Sequence, residues 1–167
     1  MYRTLRTLVG IGIVSEPPPP ADETLRQRAA LQDEILSVLG RALCIRHVDA
    51  GSCNGCEIEV AATFGPVYDA DRYGAKLVAS ARHADVVLVT GVVTRNMLEP
   101  LRRTVEATPT PRVVLAVGDC ARNCGVFAGG IGVAGAVHDA VDVDLSVPGC
   151  PPEPDVIVEA LRRVTLR

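Results

Sequence analysis

Short apolar runs separated by polar, helix-patterned stretches organise most of this chain. Runs rich in β-branched residues stand at Leu43–Val48, Lys76–Ala79, Val86–Thr90, Arg112–Val117 and Val143–Val147. Each has the length and composition of a strand buried on both faces. Between them, Asn96–Ala107 and Pro154–Val164 carry helical spacing, with Val158, Leu161 and Val164 making the apolar side of the second. Ahead of the first strand, Asp22 reads as an N-cap and Gly40 as a stop. Leu25, Ala29, Leu36 and Leu39 share one helical face with Ile35 beside it, which predicts an amphipathic helix over 22–39. Strand and helix alternating at this spacing give an α/β fold with a mostly parallel sheet and helices on both faces.

The amino-terminal stretch follows a different pattern. Arg3 and Arg6 precede the apolar run Leu8–Val14, a signal-peptide outline without its small-residue cleavage site, and Glu16 with Pro17–Pro20 follows at once. The expectation is a strand or docking arm joined through a stiff polyproline spacer. Residues 1–20 are thus an arm and Pro-rich linker, and 21–167 one α/β domain that includes the helix over 22–39. The chain is expected to be cytoplasmic, where thiols stay reduced.

Composition then removes whole classes of function. The chain has 167 residues, 48% apolar and 22% charged, with 17 basic against 20 acidic side chains and a net charge of −3. With 3% aromatic residues and no Trp, it lacks both the basic face and the stacking rings of a nucleic-acid platform. No apolar stretch approaches the ~20 residues of a bilayer span.

Six cysteines remain. Cys53-Asn54-Gly55-Cys56 follows the first predicted strand, Cys120 sits in Gly118-Asp119-Cys120 after the strand ending at Val117, and Cys150 sits in Pro148-Gly149-Cys150-Pro151-Pro152 after Val147. All three segments are loops at carboxyl ends of predicted parallel strands, the edge where open α/β sheets bind ligands. Thiolates are soft ligands that select zinc, copper(I) or iron–sulfur clusters. Four of them suit a [4Fe–4S] cube. The glycines at 51, 55, 118 and 149 permit close backbone approach, and a helix N-terminus expected after Cys56 supplies amide donors. A zinc site from Cys53, Cys56, Cys120 and Cys124 is a second reading of the same spacings, leaving Cys150 idle. Cys44, inside an apolar strand, is expected to be a buried, inert thiol.

Taken together, these segments resemble the small subunit of [NiFe]-hydrogenases and the related cluster-bearing subunit of respiratory complex I. The resemblance runs from about Cys44 to Val164 and is carried by Gly51-Ser52-Cys53-Asn54-Gly55-Cys56-Glu57-Ile58-Glu59, by Arg82-His83-Ala84-Asp85 leading into Val86–Gly91 and Thr94, and by the Cys120 and Cys150 loops. It implies a flavodoxin-like fold and one [4Fe–4S] cluster ligated by Cys53, Cys56, Cys120 and Cys150. The complex I subunit carries two adjacent cysteines in the first segment, whereas here Gly55 precedes Cys56. That arrangement looks most like multisubunit, membrane-associated hydrogenases of the formate hydrogenlyase type. Ala81 stands where proline is usual, and Cys124-Gly125 where a Gly-Gly pair is usual, which makes Cys124 a possible substitute ligand.

The resemblance also implies a role and partners: an oxidoreductase subunit without a complete active site of its own, relaying electrons between a catalytic large subunit and a ferredoxin-like subunit. Membrane subunits would hold the complex peripherally on the cytoplasmic face. A quinone-reducing, complex I-type subunit and a zinc-stabilised interaction module are the alternatives. Glu57 is a candidate for proton movement or large-subunit contact, or a helix-capping carboxylate. Glu59 is a candidate interface residue. Arg82 and His83 are candidates for bridging to the partner, or for positioning the start of their strand by hydrogen bonds. His47 and His138 stand alone and read as ordinary histidines.

Overall fold

The computed structural model describes residues 23–165; the arm, the proline run and Asp22 lie outside them. In chain order the elements are α1 (Glu23–Leu39), β1 (Leu43–Asp49), α2 (Gly55–Thr63), β2 (Ala75–Leu77), a 3-10 turn (Ala81–His83), β3 (Val86–Thr90), β4 (Val93–Thr94), α3 (Arg95–Ala107), β5 (Val113–Val117), α4 (Asp119–Asn123), a 3-10 turn (Gly125–Phe127), β6 (Val133–Gly135), α5 (Val137–Ala140), β7 (Leu145–Val147) and α6 (Pro154–Thr165). Five of the strands form a parallel sheet in the order β2-β1-β3-β5-β7, and β4 pairs antiparallel with β6. This is the doubly wound order of flavodoxin-like sheets.

Side-chain alternation builds the layers. Leu43 and Ile45, Val86 and Leu88, and Leu115 and Val117 point to one face, where Leu31 and Ile35 of α1, Val60 of α2 and Ile157 and Leu161 of α6 cover them. Val48, Val87, Val89, Val114 and Ala116 point to the other, under Leu101 and Val105 of α3 and Val137 of α5. β3, in the middle, is buried at every position, as its unbroken apolar run requires. The edge strands depart from the expectation of burial on both faces. Lys76 and Leu77 of β2 and Ser146 of β7 are exposed, because no strand among the described residues pairs on their far sides.

α1 also departs from its predicted face. Ala29 is exposed and Leu36 is 54% exposed, whereas Leu31 and Ile35 are fully buried and Arg28 is 8% exposed. The helix is rotated because it packs on α6 as well as the sheet, where Arg162 bonds Glu34 through Nε (3.1 Å) and Nη2 (2.7 Å). Arg28 is buried by stacking over Tyr68, 4.8 Å to the ring centroid, and donating to the Val67 carbonyl (2.7 Å).

Candidate functional site

The carboxyl ends of β1, β5 and β7 deliver the cysteine loops to one edge, and the backbone shows what ties those loops together. After β5, Gly118 N–H donates to the Val147 carbonyl (2.8 Å) and Asp119 N–H to the Gly149 carbonyl (2.8 Å), while Gly149 N–H returns a bond to Asp119 Oδ1 (3.2 Å). Asp119, placed between a glycine and a cysteine, is thus the clasp between the Cys120 and Cys150 loops. After β1, Asp49 Oδ1 accepts from the Gly51 and Ser52 amides at 2.9 and 2.8 Å. Ala50 N–H donates to Thr90 O and Thr94 N–H to Ala50 O, both at 2.9 Å, pinning that loop to the end of β3.

Glycine is required where these loops meet. Gly118 has φ +92°, and a Cβ there would lie 2.5 Å from Cys56 Sγ. A Cβ on Gly55 would meet Cys53 Sγ at 3.5 Å and the ring of Pro151 at 3.9 Å. The first loop therefore lies against both of the others. Cys53 and Cys150 are exposed, and Cys56 and Cys120 are 7% and 5% exposed, so the group has a buried floor and an open rim. The helix begins at Gly55, so Cys56 sits within the first turn rather than before it.

Electrostatics report the same convergence. Burial pushes the Cys56 thiol up to about 12, and Glu57, Cys120, Cys53 and Cys150 add to the shift. Burial also raises Cys120, reinforced by Cys150, Cys53 and Asp119. Cys124 is a different case. Burial raises it, and Asp139 is its charged neighbour, with none of the four cysteines contributing. Its backbone is left-handed at φ +66°, which ends α4, and its N–H donates to the Cys120 carbonyl.

The donor set fits an iron–sulfur cluster: four thiols, the softest ligands proteins offer, on loops that Gly55 and Gly118 allow to approach one another closely. Among the described residues no three His, Cys, Asp or Glu side chains are grouped tightly enough to chelate one metal ion.

The remaining candidates are dispersed. Glu57 is near the group, half-buried, and Glu59 is one turn short of Thr63, whose hydroxyl donates to the Glu59 carbonyl (2.8 Å). Arg82 and His83 are exposed on the 3-10 turn before β3, at the opposite edge of the sheet. They line a cavity of about 670 Å³ with Leu39, Leu43, Cys44 and Val113; none of the four clustered cysteines touches it. Cys44 is half-buried on that cavity rather than enclosed in the core. The residue that positions the start of β3 is Asp85, which sequence reasoning passed over. It accepts from Arg41 Nη1 and Nη2 (2.8 and 2.6 Å) and from the Cys44 amide (3.0 Å). His138 is exposed, but His47 is a half-buried member of a polar group with Thr90 and Glu57.

Residues 53–164 match the family described as NADH ubiquinone oxidoreductase, 20 Kd subunit, a span holding all four clustered cysteines. The chain is 43% identical over 128 residues to the "Probable membrane-bound hydrogenase subunit mbhJ" of Pyrococcus furiosus, covering 77% of each. It is 41% identical over 137 residues to formate hydrogenlyase subunit 7 of Escherichia coli, covering 82% of this chain and about half (52%) of that one. It is 37% identical over 144 residues to an NADH-quinone oxidoreductase subunit of Anaeromyxobacter sp., covering 86% and 81%. Among solved structures, a chain of the archaeal membrane-bound sulfane sulfur reductase superposes with a TM-score of 0.66 at 27% identity, over 87% of this chain and 75% of that one. A chain of an NAD+-reducing [NiFe]-hydrogenase gives 0.62 at 22% identity over 75% and 92%, a likeness of fold.

Proposed function

The chain belongs to the family of NADH ubiquinone oxidoreductase 20 kDa subunits, and on that premise we propose that it is the electron-transfer subunit of a membrane-associated, [NiFe]-hydrogenase-like complex. In this reading Cys53, Cys56, Cys120 and Cys150 hold one [4Fe–4S] cluster, which when bound supplies one-electron exchange. The observation that carries the reading is the meeting of three cysteine loops at one sheet edge: the Cys120 and Cys150 loops clasped through Asp119, and the Cys53–Cys56 loop lying against Gly118 and Pro151. The relatives named as hydrogenase and hydrogenlyase subunits, at 43% and 41% identity, support the hydrogenase assignment. So does Gly55, which precedes Cys56 where quinone-reducing subunits carry the first of two adjacent cysteines.

This chain's residues have three tasks in the relay. The thiols anchor the group, two of them from one turn and its preceding loop. The Asp119–Gly149 clasp holds the separate loops in register. The buried floor at Cys56 and Cys120 keeps water from that side. The open rim faces partners. Ile58, Val126 and Ile131, on or just after the cysteine-bearing segments, are 60%, 83% and 88% exposed, a degree of apolar exposure that favours burial against another chain. A catalytic large subunit and a ferredoxin-like subunit would flank the cluster, and membrane subunits would hold the assembly at the cytoplasmic face. No helix among the described residues is long and apolar enough to cross a membrane itself, which agrees with peripheral attachment.

Anaerobic purification of the complex with iron, sulfide and zinc analysis tests this. Roughly four irons and four sulfides per chain and a paramagnetic reduced state are expected. Cys53→Ala, Cys120→Ala and Cys150→Ala should lose or convert the signal, whereas Cys124→Ala and Cys44→Ala should keep it. Iron that survives Cys120→Ala but falls in Cys124→Ala overturns the ligand set. A colourless protein with one zinc overturns the cluster itself.

A further inference from the structure

The cavity at the far edge of the sheet has no part in the relay. Its volume is about 670 Å³, within the ~300–1,000 Å³ of sites that hold one small molecule. The walls are mainly apolar. They include Leu43, Val86 and Val113, the first residues of β1, β3 and β5, with Leu39 ending α1 and Val164 near the end of α6.

The charged lining is unbalanced. Asp85 is its one acid, and Arg41 bonds both carboxylate oxygens (2.8 and 2.6 Å), so that pair cancels. Arg82 and His83 are left over. Both are exposed, and the 3-10 turn holds them by backbone alone. The Arg82 amide donates to Ser80 Oγ (3.3 Å) and the His83 amide to the Ser80 carbonyl (3.2 Å). Neither the guanidinium nor the imidazole has a hydrogen-bond or ion-pair partner among the described residues. An apolar chamber beside an unpaired guanidinium complements a ligand divided in the same way. A hydrocarbon body would displace water from the walls, and an anionic head would pair with Arg82.

We propose that this cavity binds a free fatty-acid carboxylate, its tail against Leu43, Val86 and Val113 and its head at Arg82 and His83. The site is remote from the four clustered cysteines and does not depend on the cluster assigned to them. Cys44, half-buried on the cavity wall, reports its occupancy.

The test is alkylation of Cys44 by iodoacetamide in the intact complex, read by peptide mass spectrometry, with decanoate below its micellar range as the probe. At ten times its dissociation constant, decanoate should slow labelling about tenfold, because roughly one cavity in eleven then stays empty. Decanol carries the same tail without the charge and should bind about fivefold more weakly, the worth of an exposed ion pair. Arg82→Glu should weaken decanoate by about fivefold or more and leave decanol unchanged. Labelling that decanoate does not slow overturns the inference. So does equal protection by the two probes, or equal protection of the parent and Arg82→Glu by decanoate. Protection by phosphatidylglycerol vesicles but not by decanoate overturns it in favour of a membrane surface. A Cys44 that resists labelling without any probe overturns it as well, since protein then fills the cavity.

Discussion

Asp85 and Gly118 hold opposite ends of the sheet, and each does so with one chemical feature. At Asp85, burial alone would raise the carboxyl, but the bonds from Arg41 and the Cys44 amide outweigh it and hold it below the usual carboxylate range. A group depressed in the fold stabilises fully above its unfolded value of about 3.9. That contribution is lost as pH falls through the lower folded value. Because Arg41 is 56% exposed, water screens the pair. Asp85→Asn should therefore cost about 1 kcal/mol at pH 7, with the gap to the parent closing as urea unfolding is repeated below about pH 4. At Gly118 the feature is the missing Cβ. Gly118→Ala combines a φ of +92° with a contact 2.5 Å from Cys56 Sγ. It should cost about 1–3 kcal/mol and, in the assembled protein, lower iron retention measured by metal analysis.

At the level of elements, β3 was fully legible because it is buried on both faces and its apolar run has no polar interruption to mislead. α1 was legible as a helix but not in its rotation. Leu36 and Ile35 are neighbours in sequence and equally apolar, and only the position of α6, with Arg162 reaching Glu34, decides which one faces inward. Ile35→Ala should accordingly cost about 2–5 kcal/mol in denaturant unfolding, while Leu36→Ala should stay within about 0.5 kcal/mol. Equal losses would restore the face read from periodicity. The β4–β6 pair and the short helices α4 and α5 escaped the pattern because two- to five-residue elements are too brief for any period to register.

For the whole molecule, the candidate site joins residues as far apart as Cys53 and Cys150, so anything that binds all four thiols also staples three loops. Loading the cluster should raise the melting temperature of the chain, since a ligand bound only by the folded state stabilises it. Scanning calorimetry of iron-loaded and iron-free protein checks this, and Cys150→Ala should abolish most of the difference by freeing the β7 loop. The same consideration separates Cys120 from Cys124. Their spacing in sequence cannot tell which faces the group; in the fold Cys120 has Cys150 and Cys53 as its charged neighbours, whereas Cys124 has Asp139.

By itself the sequence determined the layers and the address of the chemistry: strands from unbroken apolar runs, a parallel sheet from their alternation with helices, and thiols at the carboxyl ends of three of those strands. Those features are local, set by period and by a few glycines and prolines. Tertiary structure alone decided which face of α1 is buried, that Asp119 clasps the Cys150 loop, that Arg82 and His83 stand at the far edge, and that Glu57 and His47 come within 3.9 Å of each other. Each of these depends on distances between segments remote along the chain, and such distances follow from strand order and packing rather than from the spacing of residue types.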